Sequence, residues 1–223
     1  MSFTSGVILM DEPPEVAPTM DLHGSTQMAV HNLAGALLLK EMGDSRGILA
    51  RELSLKDVEY ITKNCGIETE IFIHGALCMC VSGQCYMSSM FGGRSGNRGD
   101  CAQPCRLPAK DGSYPLSLKD NCLAKYMTEI IRSGVDSLKI EGRMKSPEYV
   151  YGVGRIYRTL LDEGRDATDE EIKKLEALFS RDGFTDGYFT SHIGHNMLGV
   201  RSEADKPAGR SLQPFRGITR RIP

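Results

Sequence analysis

The chain has 223 residues, a net charge of −2, 40% hydrophobic and 25% charged residues. That suits one large globular domain or one and a half small ones, excludes a disordered or fibrous chain, and supplies no overall field toward nucleic acid. No apolar run approaches the roughly 20 residues of a membrane-spanning helix, and the first basic residue is Lys40, so the expectation is a cytoplasmic protein with no membrane contact and no leader.

Residues 1–19, Pro-containing and acidic, read as a poorly ordered lead-in. A strand–helix rhythm then begins. Met20 to His23 is a short strand. Ser25 or Thr26 caps a helix from about Gln27 to Met42, with Met28, Val30, Leu33, Leu37 and Leu38 as its stripe. Gly47 to Ala50 is the next strand, and Ser54 caps a helix from Leu55 to Lys63. EIFIH, residues 70–74, is a clear strand. About 30 residues without periodicity follow, and loops this long are usually functional. Tyr114 to Leu118 reads as a strand, Asn121 to Ser133 as a helix and Ser137 to Ile140 as a strand. Pro147 opens a helix to Glu163, and Thr168 with Glu171 forms a capping box for a helix from Asp169 to Phe179. Gly187 to Thr190 is a candidate last strand. About four strand–helix units imply a parallel α/β sheet, roughly half of a (β/α)₈ barrel, which takes ~250 residues.

In such folds chemistry gathers at the C-terminal ends of strands. His23, Gln27, Arg51, Glu52, His74, Lys139, Glu141 and Arg143 fall there. Each has a plain reading as well: strand-end capping for His23 and His74, a surface ion pair for Arg51 and Glu52, and a structural ion network for Lys139, Glu141 and Arg143. The last three alternate along a strand and so share a face. The basic residues of 201–223, six against two acidic, are either a solvated tail or a strip that meets RNA.

Four cysteines, Cys78, Cys85, Cys101 and Cys105, lie in a Gly-, Ser- and Arg-rich segment with spacing C-x6-C-x15-C-x3-C. The segment holds too few aliphatic residues to order itself by burial. Structural zinc favours tight pairs at both ends, and only the second pair is tight. An iron–sulfur cluster accepts looser spacing. The spacing favours a cluster and leaves zinc or neither open. Cys80 is an alternative ligand; Cys65 and Cys122 read as packed small residues, and Cys122 competes with Cys105 as fourth ligand. No HExxH is present.

The segments DLHGSTQMAVHN, LARELSLKDV, EIFIHGALCMCVSGQCYMSS, GRSGNRGDCAQPCR, SLKD, GVDSLKIEGRMKSPEYV and FSRDGFTDGYF resemble peptidase family U32, the collagenase-like peptidases. The resemblance runs from about residue 20 to residue 200. It implies a TIM-like barrel, of which this chain is expected to carry about the C-terminal half, and a [4Fe–4S] cluster on Cys78, Cys85, Cys101 and Cys105. The expected organisation is a lead-in at 1–19, a partial barrel at 20–165 with its cysteine-rich cluster-binding loop at 75–110, and a helical and irregular extension at 166–223. The resemblance implies oxygen-independent hydroxylation of tRNA, rRNA or a ubiquinone precursor with prephenate as oxygen donor; the other activity attached to the family is proteolysis. On the hydroxylase expectation His74, Lys139, Glu141 and Arg143 are catalytic. His23, Gln27, Arg51, Glu52, Arg94, Arg98 and Arg106 contact RNA or another substrate. A partner chain is expected to complete the barrel. The further expectation is a cluster-bearing subunit without catalysis.

Overall fold

The computed structural model describes the backbone of Ser2–Ser5 and residues 21–81, 84–96, 99–142 and 145–200. Its strands are β1 (Ser2–Ser5), β2 (Asp21–Gly24), β3 (Arg46–Ile48), β4 (Glu68–Gly75), β5 (Asp120–Cys122), β6 (Ser137–Ile140) and β7 (Phe184–Thr185). Its α-helices are α1 (Leu33–Glu41), α2 (Leu55–Cys65), α3 (Met87–Gly92), α4 (Met127–Ser133), α5 (Pro147–Glu163) and α6 (Asp169–Leu178). All seven strands belong to one sheet with the path β1-β2-β3-β4-β5-β7, β6 pairing with β4. The molecule is therefore a mixed α/β fold around a central sheet, open at both ends of that path among the described residues.

The pairs β1–β2, β2–β3, β3–β4 and β4–β6 are all parallel; α1 crosses from β2 to β3 and α2 from β3 to β4, as parallel neighbours require. Helices α5 and α6, which follow β6, are built from recognisable ends. Ser146 accepts from the Tyr149 N–H ahead of Pro147, and Thr168 with Glu171 closes the expected capping box. Helix faces meet the sheet in one core that includes Leu39, Ile61, Ile71, Ile73, Ile130, Val153, Leu160 and Leu175. No helix among the described residues is long and apolar enough to cross a membrane.

Four expectations are corrected. The helix expected from Gln27 is a 3₁₀ turn, Thr26–Met28, capped by Ser25; Ala29 takes a positive φ of 52°, Val30 bridges to Leu49, and α1 restarts behind a new cap at Asn32. The strand expected at 114–118 is Asp120–Cys122 and runs antiparallel to β4, pairing His74 with Cys122 and Gly75 with Asn121. This pairing recruits the start of the helix expected at Asn121, and the Asn121 side-chain amide donates to the Phe72 carbonyl at 3.1 Å. The strand expected at 187–190 is a turn behind β7, whose Phe189 is buried against Tyr126. The strand Ser2–Ser5 lies inside the stretch read as a lead-in.

Candidate functional site

β4 organises the site. Its side chains alternate between two faces: Ile71 and Ile73 enter the helix-covered core, while Glu70 and Phe72 point the other way. On that second face Glu70 takes Lys139 Nζ at 2.9 Å and Arg46 at 3.6 Å, and accepts from Ser137 Oγ at 2.7 Å. Burial pushes the Glu70 carboxyl up, but the hydrogen bonds from Lys139 and Ser137 outweigh it and hold the group below its ordinary value. Lys139 therefore sits in an ion network, the plainer of its two sequence readings. Its ammonium also lies 5.4 Å from the Phe72 ring centre, and the Arg51 guanidinium lies 4.2 Å from it. Glu141 follows β6, its N–H on the His74 carbonyl and its carbonyl taking the Tyr149 hydroxyl. Gly75 makes this close approach feasible: at φ 107°, a Cβ there would stand 2.7 Å from the Glu141 carbonyl oxygen.

His74 follows a register shift between Phe72 and His74 in the β4–β6 pairing. It is 1% exposed and lies within ring contact of Tyr149, Tyr157 and Phe184. The Tyr157 hydroxyl donates to the Ile73 carbonyl at 3.0 Å, so it accepts from His74 Nδ1 at 3.3 Å. That tautomer leaves Nε2 as a buried lone pair with no hydrogen-bond partner. Burial, with the nearby Lys145 charge, drops its pKa to about 3, so the ring is neutral at physiological pH. Cys122, 3.6 Å from the Tyr157 hydroxyl, is pushed up to about 11 by burial. Cys65 is also buried. Both are packed thiols, as expected.

The other five cysteines gather in the segment after β4. All are free; Cys78, Cys85 and Cys101 are exposed, Cys80 and Cys105 half-buried. Burial raises the Cys105 thiol, the Arg106 charge beside it opposes this, and Cys78, Cys101 and Cys85 raise it further. The four sulfurs expected as ligands thus share one electrostatic neighbourhood. Cys80 belongs to it too, raised by burial and then by Cys85 and Cys78. Donors point at two of the sulfurs: the Gln103 N–H meets Cys101 Sγ at 3.3 Å, and Arg51 Nη1 meets Cys78 Sγ at 3.5 Å. Among the described residues no three His, Cys, Asp or Glu side chains converge tightly enough for a single metal ion.

Polar straps hold this segment. Arg106 donates to the Leu77 carbonyl at 2.7 Å, to Ser117 Oγ at 3.0 Å and to the Leu118 carbonyl. Ser88 Oγ accepts from the Ala102 N–H, and Arg94 Nε donates to the Asp100 carbonyl. Arg106 and Arg94, expected on substrate, thus bind the chain's own backbone. His23 is buried on β2, Gln27 lies in the 3₁₀ turn, and Glu52 is close enough to add to the burial that raises Tyr188. Arg98, Arg143 and the basic residues 201–223 lie outside the described residues.

The sequence reading missed Asp120 and Arg181. Asp120, 1% exposed, forms an ion pair with Arg181, and its Oδ2 is buried without a partner. Burial pushes this carboxyl up against the pull of Arg181, Lys145 and Arg106. Asp120 ends SLKD and Arg181 lies in FSRDGF, so the signal was their place in two of the family-like segments.

The family model for peptidase family U32 matches residues 6–198. The chain is 42% identical to the 23S rRNA 5-hydroxycytidine C2501 synthase of Escherichia coli, across 70% of this chain and 25% of that protein. It is 36% identical to tRNA hydroxylation protein P1 of Bacillus subtilis, across 70% of this chain and 40% of the relative. A protein named collagenase from Porphyromonas gingivalis is also 36% identical, across 76% and 48%. The chain thus spans between a quarter and about half of these relatives. No solved structure matches it. A family match over most of the chain agrees with a site assembled from the same segments that carried the resemblance, and the chain belongs to peptidase family U32.

Proposed function

We propose that this chain is the cysteine-bearing part of an oxygen-independent RNA hydroxylase, with a [4Fe–4S] cluster held by Cys78, Cys85, Cys101 and Cys105. The observation that carries it is the shared neighbourhood of these four thiols, with a backbone N–H on Cys101 and a guanidinium on Cys78. The donor set fits such a cluster better than zinc. A single tetrahedral ion, with Zn–S of about 2.3 Å, needs its sulfurs about 3.8 Å apart. A cluster takes each thiolate on a different iron and so accepts the open C-x6-C-x15-C-x3-C spacing. Bound there, the cluster would supply one-electron transfer.

The RNA part of the proposal rests on relatives named for rRNA and tRNA hydroxylation. RNA and free thiols both suit the cytoplasm. Prephenate is carried as oxygen donor, with Arg143 rather than Lys139 for its carboxylates, since Lys139 already serves Glu70. The sheet is read as part of a (β/α) barrel that further chain, from this protein or a partner, completes.

Anaerobic purification followed by iron and sulfide quantitation tests the cluster. About four of each per chain are expected, and Cys101→Ser should lose them; full iron content in that variant would sink the ligand assignment. Mass spectrometry of rRNA and tRNA nucleosides from cells lacking the protein then tests the substrate class. The relative named collagenase motivates a peptidase reading. His74 as general base argues against it, being buried and neutral with a pKa near 3. Gelatin cleavage by the purified protein, abolished in Cys78→Ser, would favour hydrolysis.

A further inference from the structure

Arg51 stands apart from the other basic residues around β4. Arg46 pairs with Glu68 and Glu70, Lys139 with Glu70, and Arg181 with Asp120. Arg51 has no carboxylate partner among the described residues, and the expected ion pair with Glu52 is not formed. Its guanidinium instead stacks 4.2 Å from the Phe72 ring centre and sends Nη1 to Cys78 Sγ at 3.5 Å, while its Nε is buried without a partner. A cation drawn partly out of water needs a countercharge. Here the described group it faces is a sulfur, and a thiolate-ligated cluster carries net negative charge.

We infer that Arg51 is a positioning residue for the metal centre, fixing Cys78 and setting the reduction potential of a cluster bound through it. This rests on the cluster reading above. Phe72 supplies the platform: stacking fixes the guanidinium plane, so the fork is already aimed when sulfur binds metal. Hydrogen bonds and positive charge at a ligand sulfur favour the reduced, more negative cluster and raise its potential. Lysine at this position keeps the charge and loses the planar fork; glutamine loses the charge.

Wild type, Arg51→Lys and Arg51→Gln are to be purified anaerobically, loaded with ferrous iron and sulfide, and titrated spectroelectrochemically. The midpoint should move to more negative potential in Arg51→Gln, and less far in Arg51→Lys, at unchanged iron per chain. If Arg51→Gln does not load, the midpoint of Arg51→Lys decides. Variants with wild-type iron content and wild-type midpoints overturn the assignment of Arg51 alone. Wild type that takes up no iron overturns the cluster reading, and this assignment with it.

Discussion

The frame from β2 to α6 and the cysteine segment between Gly75 and Asp120 are held together by different means. In the frame, strands and helices bury whole aliphatic side chains, Ile130, Val153 and Leu160 among them. In the segment, the buried described residues are Leu77, Ser88, Ser117 and Leu118, and two of those are serines that serve hydrogen bonds. Apolar burial orders the frame; a few polar straps from Arg106, Ser88 and Arg94 order the segment. Residues that meet a ligand belong on the second kind of structure, standing on the first. Straps fix where a sulfur lies without enclosing it.

Breaking the frame should cost most. Leu160, with no exposure on α5, touches the common core, so Leu160→Ala should lower global stability by about 2–5 kcal/mol in urea unfolding. Hydrogen exchange should speed up everywhere, the segment included. Breaking a strap should separate the two regions. Arg106→Met removes a half-buried guanidinium from two carbonyls and a hydroxyl, with a charged hydrogen bond contributing about 1.5–3 kcal/mol. Faster exchange confined to residues 76–119 is expected; uniform acceleration across β4 and α5 would show that the segment is part of the frame.

The frame was legible where an element carries its own punctuation. α5 and the start of α6 fall where Pro147, Thr168 and Glu171 place them, and β6 matches residue for residue. It was illegible where a distant strand claims the residues, as β4 does with Asn121 and Cys122. The cysteines of the segment stand out by residue type and spacing, and Cys80 shares the neighbourhood of the other four. Arginine roles could not be read that way. Nothing local separates Arg106, turned onto backbone carbonyls, from Arg51, turned onto a sulfur; only the tertiary partners do. His74 was conspicuous as a histidine at a strand end, but its ring contacts come from α5 and β7.

His74 also sharpens the contrast through pH. Its folded pKa of about 3 lies below the ordinary 6.5, so between those values the unfolded chain binds a proton that the native chain does not. Stability from this group is fully present above pH 6.5 and falls as pH falls toward 3, by about 1.4 kcal/mol per pH unit at full difference. His74→Phe, which keeps a ring in the aromatic cage, should flatten that slope in urea titrations between pH 6.5 and 4.5. An unchanged slope would mean that other groups carry the acid dependence.

The smallest effect belongs to α3. Met90 and Phe91 are 82% and 80% exposed, so Met90→Gln and Phe91→Ser remove almost no buried apolar area, and surface changes of this kind usually stay within about 0.5 kcal/mol. The same class of side chain that holds the frame should contribute next to nothing here. Urea unfolding is expected to superimpose on wild type. A loss above about 1 kcal/mol would place these two side chains against the frame in solution, and the segment would then be ordered by burial like the rest of the chain. An unchanged curve combined with the Leu160→Ala loss would separate the two regions by mechanism: one depends on what its side chains cover, the other on where its hydrogen bonds reach.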